Sequence, residues 1–229
     1  MGQLSSRSIR TFVLRQGRLT EGQQRSLDLY WDEYGIRIDQ QRIDVDACFD
    51  TTAPVWMEIG FGNGSALAYM AERNPLVNFL GVEVHLPGVG HALGEIAALD
   101  LKNVRVVRYD VLDLIEHYMP PGSIDRILIY FPDPWHKTRH HKRRLVNAGF
   151  LDMVSALLKG DALIHFATDW VPYARQVRSV VEAHAQFECL TEADQLSQIT
   201  SLRPETHFER RGDKLGHQVT DIVIRKISV

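Results

Sequence analysis

VWMEIGFGNGSALAYMAER, Val55 to Arg73, decides how this chain folds. Five residues of strand-forming type run into Gly60, Gly62 and Gly64, and Ala, Leu and Met then recur at helical spacing to residue 73. A strand passing through a glycine turn into a helix is one βα unit. The same texture repeats downstream. Strand-like runs occupy 55–60, 79–84, 104–109, 124–131, 162–168 and 220–227. Helix-like stretches at 65–73, 88–99, 111–118, 145–159 and 171–185 separate most of them. Strands alternating with helices imply parallel crossovers and a sheet covered on both faces. Upstream, Thr20 and Gln23 have capping-box spacing and predict a helix from there to about residue 31. Residues 1–20 read as a mobile, Arg-rich arm and 21–229 as a single domain.

At 229 residues and 45% hydrophobic content, the chain can bury one full core. It has no apolar run near the length that spans a bilayer, and its N-terminus lacks the charged-then-apolar order of a secretion signal. Cys48 and Cys189 offer neither a disulfide framework nor metal spacing, so the expected setting is the reducing cytoplasm. Met1-Gly2 through Ser6 fits the myristoylation pattern by letter, without a second membrane signal to support it. Net charge is −3, yet residues 1–25 carry five Arg against one Glu, and Lys137, Arg139, Lys142, Arg143 and Arg144 add five more cations with no acid among them. An acidic body with two basic patches suits a polyanion contacted locally.

In open α/β sheets, ligands sit beyond the carboxyl ends of the strands. Gly60, Gly62 and Gly64 follow the first strand and would let backbone approach a ligand closely. The spacing is not G-x-G-x-x-G, and no Lys-Ser/Thr follows to hold phosphates. Glu58, just before the turn, would repel a pyrophosphate and suit a cation. Glu83, 19 residues after Gly64, can accept both hydroxyls of a ribose, or simply cap the next helix. Asp110 can accept from an adenine amino group; an aspartate opening the next helix is an equally common arrangement. Three acids at successive strand ends beside a G-x-G-x-G turn resemble the S-adenosylmethionine-dependent methyltransferases. Their cofactor carries a sulfonium and an ammonium, which carboxylates favour.

The fourth strand ends in Pro132-Asp133-Pro134-Trp135. Prolines fix φ and donate no hydrogen bond, so Asp133 is held on a stiff loop. Trp135 could stack a base or plug the core. His136, His140 and His141 cluster, but the neighbouring cations and the lack of a nearby Cys argue against a metal, and none is expected.

The motifs FPDPWHKxRHxKRR, EIGFGxG, GVEVHxPGVG, ATDWxPYA (from Ala167) and TxFERRGxxLGH (from Thr206) together resemble the bacterial tRNA (guanine-N7-)-methyltransferases. The likeness runs from about Ile9 to the C-terminus, with Thr138 and His207 as mild departures. It implies an α/β Rossmann-like fold with a mostly parallel, seven-stranded sheet and helices on both faces. It implies methyl transfer from S-adenosylmethionine to N7 of guanine 46 in the tRNA variable loop, in the cytoplasm, by a monomer or homodimer. Carried over by position, Glu58, Glu83 and Asp110 with the three glycines would bind the cofactor, and Asp133 would serve both cofactor and catalysis. Lys137, Asp169, Thr206, His207, Phe208 and Glu209 would hold the substrate nucleotide. Arg139, His140, His141, Lys142, Arg143 and Arg144 would contact RNA. The competing readings are a methyltransferase acting on an exocyclic amine or a small molecule, whose loop around Asp133 would hold the target nitrogen, and an RNA-binding module without turnover.

Overall fold

In the computed structural model the described residues are 9–13, 17–39, 41–204 and 218–227. Among these residues eight strands form one sheet, in spatial order β1-β4-β3-β2-β5-β6-β8-β7. They are β1 (Gly35–Ile36), β2 (Val55–Ile59), β3 (Asn78–Glu83), β4 (Val104–Arg108), β5 (Ile124–Tyr130), β6 (Leu158–Thr168), β7 (Phe187–Cys189) and β8 (Thr220–Lys226). All pairings are parallel except β6 with β8 and β7 with β8. The seven expected strands become eight because two residues, Gly35 and Ile36, pair with Val106 and Val107 at the edge of the sheet.

The helices are α1 (Glu21–Tyr34), α2 (Ser65–Arg73), α3 (Leu86–Ala98), α4 (Val111–His117), α5 (Ala148–Leu157), α6 (Val171–Glu182) and α7 (Ala193–Thr200). The capping box of Thr20 and Gln23 is present at α1. α2 has the limits expected for it. α5 is shorter than the predicted 145–159, since Asn147 caps it by accepting from Phe150 N, and Lys159 already belongs to β6.

Side-chain alternation divides the core between the two faces of the sheet. Phe79, Val104, Val106, Leu128 and Tyr130 pack under α1, α2 and α3. Met57, Leu80, Val82, Ile127, Ile129, Ile164 and Phe166 pack under α4, α5 and α6. β2 lies between β3 and β5 and is parallel to both, so successive crossovers leave it in opposite directions. That reversal opens a crevice at the carboxyl ends of β2 and β5, where such sheets bind ligands. No helix of the described residues is long and apolar enough to cross a membrane.

Candidate active site

Beyond β2 the backbone turns through Gly60, Gly62 and Gly64 at φ of 73°, 62° and 87°. A Cβ at Gly60 or Gly62 would meet no atom within 4 Å, whereas one at Gly64 would lie 2.4 Å from the Ala92 Cβ. The first two glycines therefore shape a cradle that a side chain would fill, and the third lets α2 close on α3. Gly88 is needed for the same closeness: a Cβ there would sit 2.1 Å from the Gly62 carbonyl oxygen.

Glu58 stands beneath this turn and is 2% exposed. Its strand neighbours in register are Gly81 and Leu128, and its Oε2 has no hydrogen-bond partner among the described residues. Burial, and then the charge of Glu83, push its carboxyl up to about 8. A buried acid without a partner fits a cationic group placed above it. Glu83, at the end of β3, accepts from Gly62 N at 2.9 Å through Oε2 and from Val84 N and His85 N at 2.7 and 2.9 Å through Oε1. It thus ties the glycine turn to the start of α3. Asp110 is buried and caps α4, accepting from Leu112 N at 3.0 Å. The helix-opening reading of that residue is realised, at the same rim.

β5 delivers Asp133, exposed, at the same edge. The residues bounding its loop, Phe131 and Trp135, both have left-handed backbone, with φ of 51° and 47°. For bulky side chains this costs on the order of 1–3 kcal/mol each and persists only where surroundings impose it. The surroundings are specific. Phe131 N donates to Ala167 O at 2.9 Å. Trp135 Nε1 donates to Thr11 O at 3.2 Å, and the Arg143 guanidinium lies 4.2 Å from the Trp135 ring centre. Trp135 is therefore half-buried, pinning the N-terminal segment on one side and carrying Arg143 on a face. Arg143 Nε also donates to Arg10 O at 3.0 Å. His136 meets the ring of Trp170 edge-on at 4.3 Å, which brings the loop against the end of β6, where Asp169 sits half-buried.

The basic run coils into a 3-10 turn, Thr138–Arg143. Lys137, Arg139 and Lys142 are exposed; His140, His141 and Arg143 are half-buried. Burial and then Arg139, Arg143, Lys137 and Lys142 hold His140 below the ordinary imidazole range. Arg144 corrects the expectation of an RNA contact. It is 2% exposed, donates through Nε to Pro134 O at 2.9 Å and through Nη1 to Gln176, and lies over the ring of Tyr173. With no surface to offer a phosphate, it fastens the Asp133 loop to α6. Thr206, His207, Phe208 and Glu209 lie outside the described residues.

The sequence reading missed the backbone of Arg10 and Thr11 as a partner of the loop. It also missed His165, whose signal was a lone imidazole inside an apolar strand. The one group of acids and histidine with metal-like proximity among the described residues is Asp113, Glu116 and His117, away from the predicted histidine cluster.

A family model described as "Putative methyltransferase" matches residues 52–222. The chain is 44% identical to a tRNA (guanine-N(7)-)-methyltransferase of Pectobacterium atrosepticum, over 96% of this chain and 92% of that protein. It is also 44% identical to one of Pseudomonas aeruginosa strain PAO1, over 96% and 91%. Among solved structures, the 16S rRNA methyltransferase KamB superposes with a TM-score of 0.56 at 16% identity, covering 86% of this chain and 98% of that one. The antibiotic-resistance methyltransferase Kmr does so with a TM-score of 0.56 at 16% identity, covering 85% and 95%. These two likenesses concern the fold. The extent of the sequence identity, over a chain whose strand ends gather Glu58, Glu83, Asp110 and Asp133 on one rim, establishes that it belongs to the tRNA (guanine-N7-)-methyltransferase family.

Proposed function

We propose that this chain methylates N7 of guanine in tRNA, at guanine 46 of the variable loop, using S-adenosylmethionine. The observation that carries this reading is the 44% identity spanning 96% of the chain. The unpartnered, buried Glu58 beneath an open glycine turn agrees with it. When bound, the cofactor supplies a methyl group on a sulfonium. Glu58 would face its positive charge, Glu83 would accept from its ribose, and Asp110 would accept from its adenine with the carboxylate capacity that capping leaves. Guanine N7 has an in-plane lone pair and no proton, so its attack on the methyl carbon needs no general base. Attack by N7 would make the N7–C bond as the C–S bond broke, the electron pair would leave with the thioether, and the purine would become cationic.

What the protein must supply is alignment and charge stabilisation. Asp133, or Asp169 on the neighbouring strand end, accepts from guanine N1–H and the 2-amino group, bonds that strengthen as the ring gains charge. Adenine lacks both donors, which gives the discrimination. Lys137 and the segment Thr206, His207, Phe208 and Glu209 hold the nucleotide. Arg139, His140, His141, Lys142 and Arg143 meet RNA phosphates. Incubation of unmodified tRNA with the chain and methyl-labelled cofactor should give 7-methylguanosine on nucleoside analysis, with loss of signal when guanine 46 is replaced. Label in an exocyclic amino group instead would overturn the reading. Asp133→Ala should fold, still bind tRNA and lose most of its turnover.

A further inference from the structure

On the α1–α3 side of the sheet, four side chains form a continuous polar chain through otherwise apolar packing. Arg203 holds Asp221 with two bonds, Nε to Oδ1 at 3.1 Å and Nη2 to Oδ2 at 3.2 Å. His165 Nε2 lies 2.7 Å from Asp221 Oδ1, and its Nδ1 lies 3.1 Å from the Tyr130 hydroxyl. His165 is 1% exposed, and burial holds its imidazole below the ordinary range. The ring is then neutral, Nε2–H donates to the carboxylate, and the Tyr130 hydroxyl donates to Nδ1, so both ring nitrogens of His165 are satisfied. The partners come from three adjacent strands: Tyr130 from β5, His165 from β6 and Asp221 from β8.

Both ends of this chain reach the site. Tyr130 precedes Phe131, whose left-handed backbone begins the Asp133 loop, and the Arg203 guanidinium lies 5.5 Å from the Phe131 ring centre. Arg203 follows α7, and Asp221 is the second residue of β8. A buried hydrogen-bonded network behind a binding loop is a means of fixing that loop in one geometry.

We propose that Arg203, Asp221, His165 and Tyr130 are positioning residues: they hold the Phe131 corner, and with it the start of the Asp133 loop, in place. This inference rests on the proposed function for what is positioned. Because the network touches neither the glycine turn nor the basic turn, its disruption leaves both affinities and lowers the rate.

The test is Asp221→Asn, with Asp221→Glu as the conservative variant. For Asp221→Asn, kcat on tRNA should fall tenfold or more while the Kd for cofactor and the Kd for tRNA stay within twofold, and Asp221→Glu should recover part of the loss. Amide exchange in 131–137 should quicken, since Phe131 N is bonded to Ala167 O, the residue in register with Asp221. An unchanged kcat, unchanged exchange in 131–137, or an equal loss of cofactor affinity would overturn the inference. Should Asp221→Asn not fold, Tyr130→Phe removes a single hydroxyl and is read by the same three measurements. A wild-type chain that did not methylate tRNA would refute the proposed function and not this coupling, which the exchange measurement reads by itself.

Discussion

If the cationic group of the cofactor seats against Glu58, as proposed above, cofactor binding should release a proton. With its carboxyl pushed up to about 8 by burial and by Glu83, roughly nine in ten molecules of the free protein carry the proton at pH 7. A sulfonium or ammonium placed against Oε2 favours the carboxylate and brings the carboxyl back towards the ordinary range near 4.5. Each binding event at pH 7 should then expel close to one proton. The apparent association constant should rise about tenfold per pH unit between about pH 5 and 8 and level off above that, where the free protein is already ionised. The same acid affects folding with a definite sign. Its folded value lies above the unfolded one, so the folded protein binds this proton more tightly. The ligand-free fold therefore loses stability as pH rises from about 4.5 to 8, by about 3–5 kcal/mol from this group. Calorimetric titration of cofactor at pH 7 in phosphate and in Tris, whose ionisation enthalpies differ widely, reads the proton count directly. Glu58→Gln should abolish the release and flatten both the binding and the stability profiles. Equal heats in the two buffers for the wild type, or the same release in Glu58→Gln, would refute the reasoning.

The glycine turn separates two kinds of damage. Gly62→Ala should weaken cofactor binding tenfold or more at a modest stability cost of about 1 kcal/mol, because its Cβ enters the open cradle with φ at 62°. Gly64→Ala should instead lower stability by roughly 2–4 kcal/mol, its Cβ colliding with Ala92; thermal melts and cofactor titration distinguish the pair. Replacing exposed Lys137, Arg139 and Lys142 together by Ala should weaken tRNA binding and make log Kd against log salt shallower by up to about three, with cofactor affinity unchanged. Arg144→Ala should cost about 3 kcal/mol or more in denaturant unfolding, since Pro134 O and Gln176 lose a buried donor and Tyr173 its cover, while the salt slope of tRNA binding stays as in the wild type.

The strands and helices of the central crossovers were legible because each is a short apolar run stopped by glycine, proline or an acid, and strand ends translate directly into a ligand-facing rim. β1, at two residues, and β7, at three, are too short to carry a period; they exist because neighbouring edges have free donors and acceptors to fill. The placement of Lys142, Arg143 and Arg144 could not be read locally. Three consecutive cations look alike, and their fates diverge through partners far along the chain: solvent for Lys142, Trp135 and the Arg10 carbonyl for Arg143, Gln176 and Tyr173 for Arg144. Asp110 shows the opposite case, a residue whose two readings are compatible, since a carboxylate that caps a helix keeps lone pairs for something else. The network of Tyr130, His165, Asp221 and Arg203 escaped notice because its members are scattered between positions 130 and 221 and become neighbours only through the folding of the sheet.

Both carboxylate oxygens of Glu83 are already met by main-chain N–H groups, Gly62 on one side and Val84 with His85 on the other. An amide in its place would have to turn its NH2 towards one of those sides, setting donor against donor whichever way it flips. The near-isosteric exchange of Glu for Gln, harmless at most surfaces, would here unseat the turn before any nucleoside arrived. Glu83 is a keystone of the glycine turn in its own right, and the acid at that strand end has little room to drift.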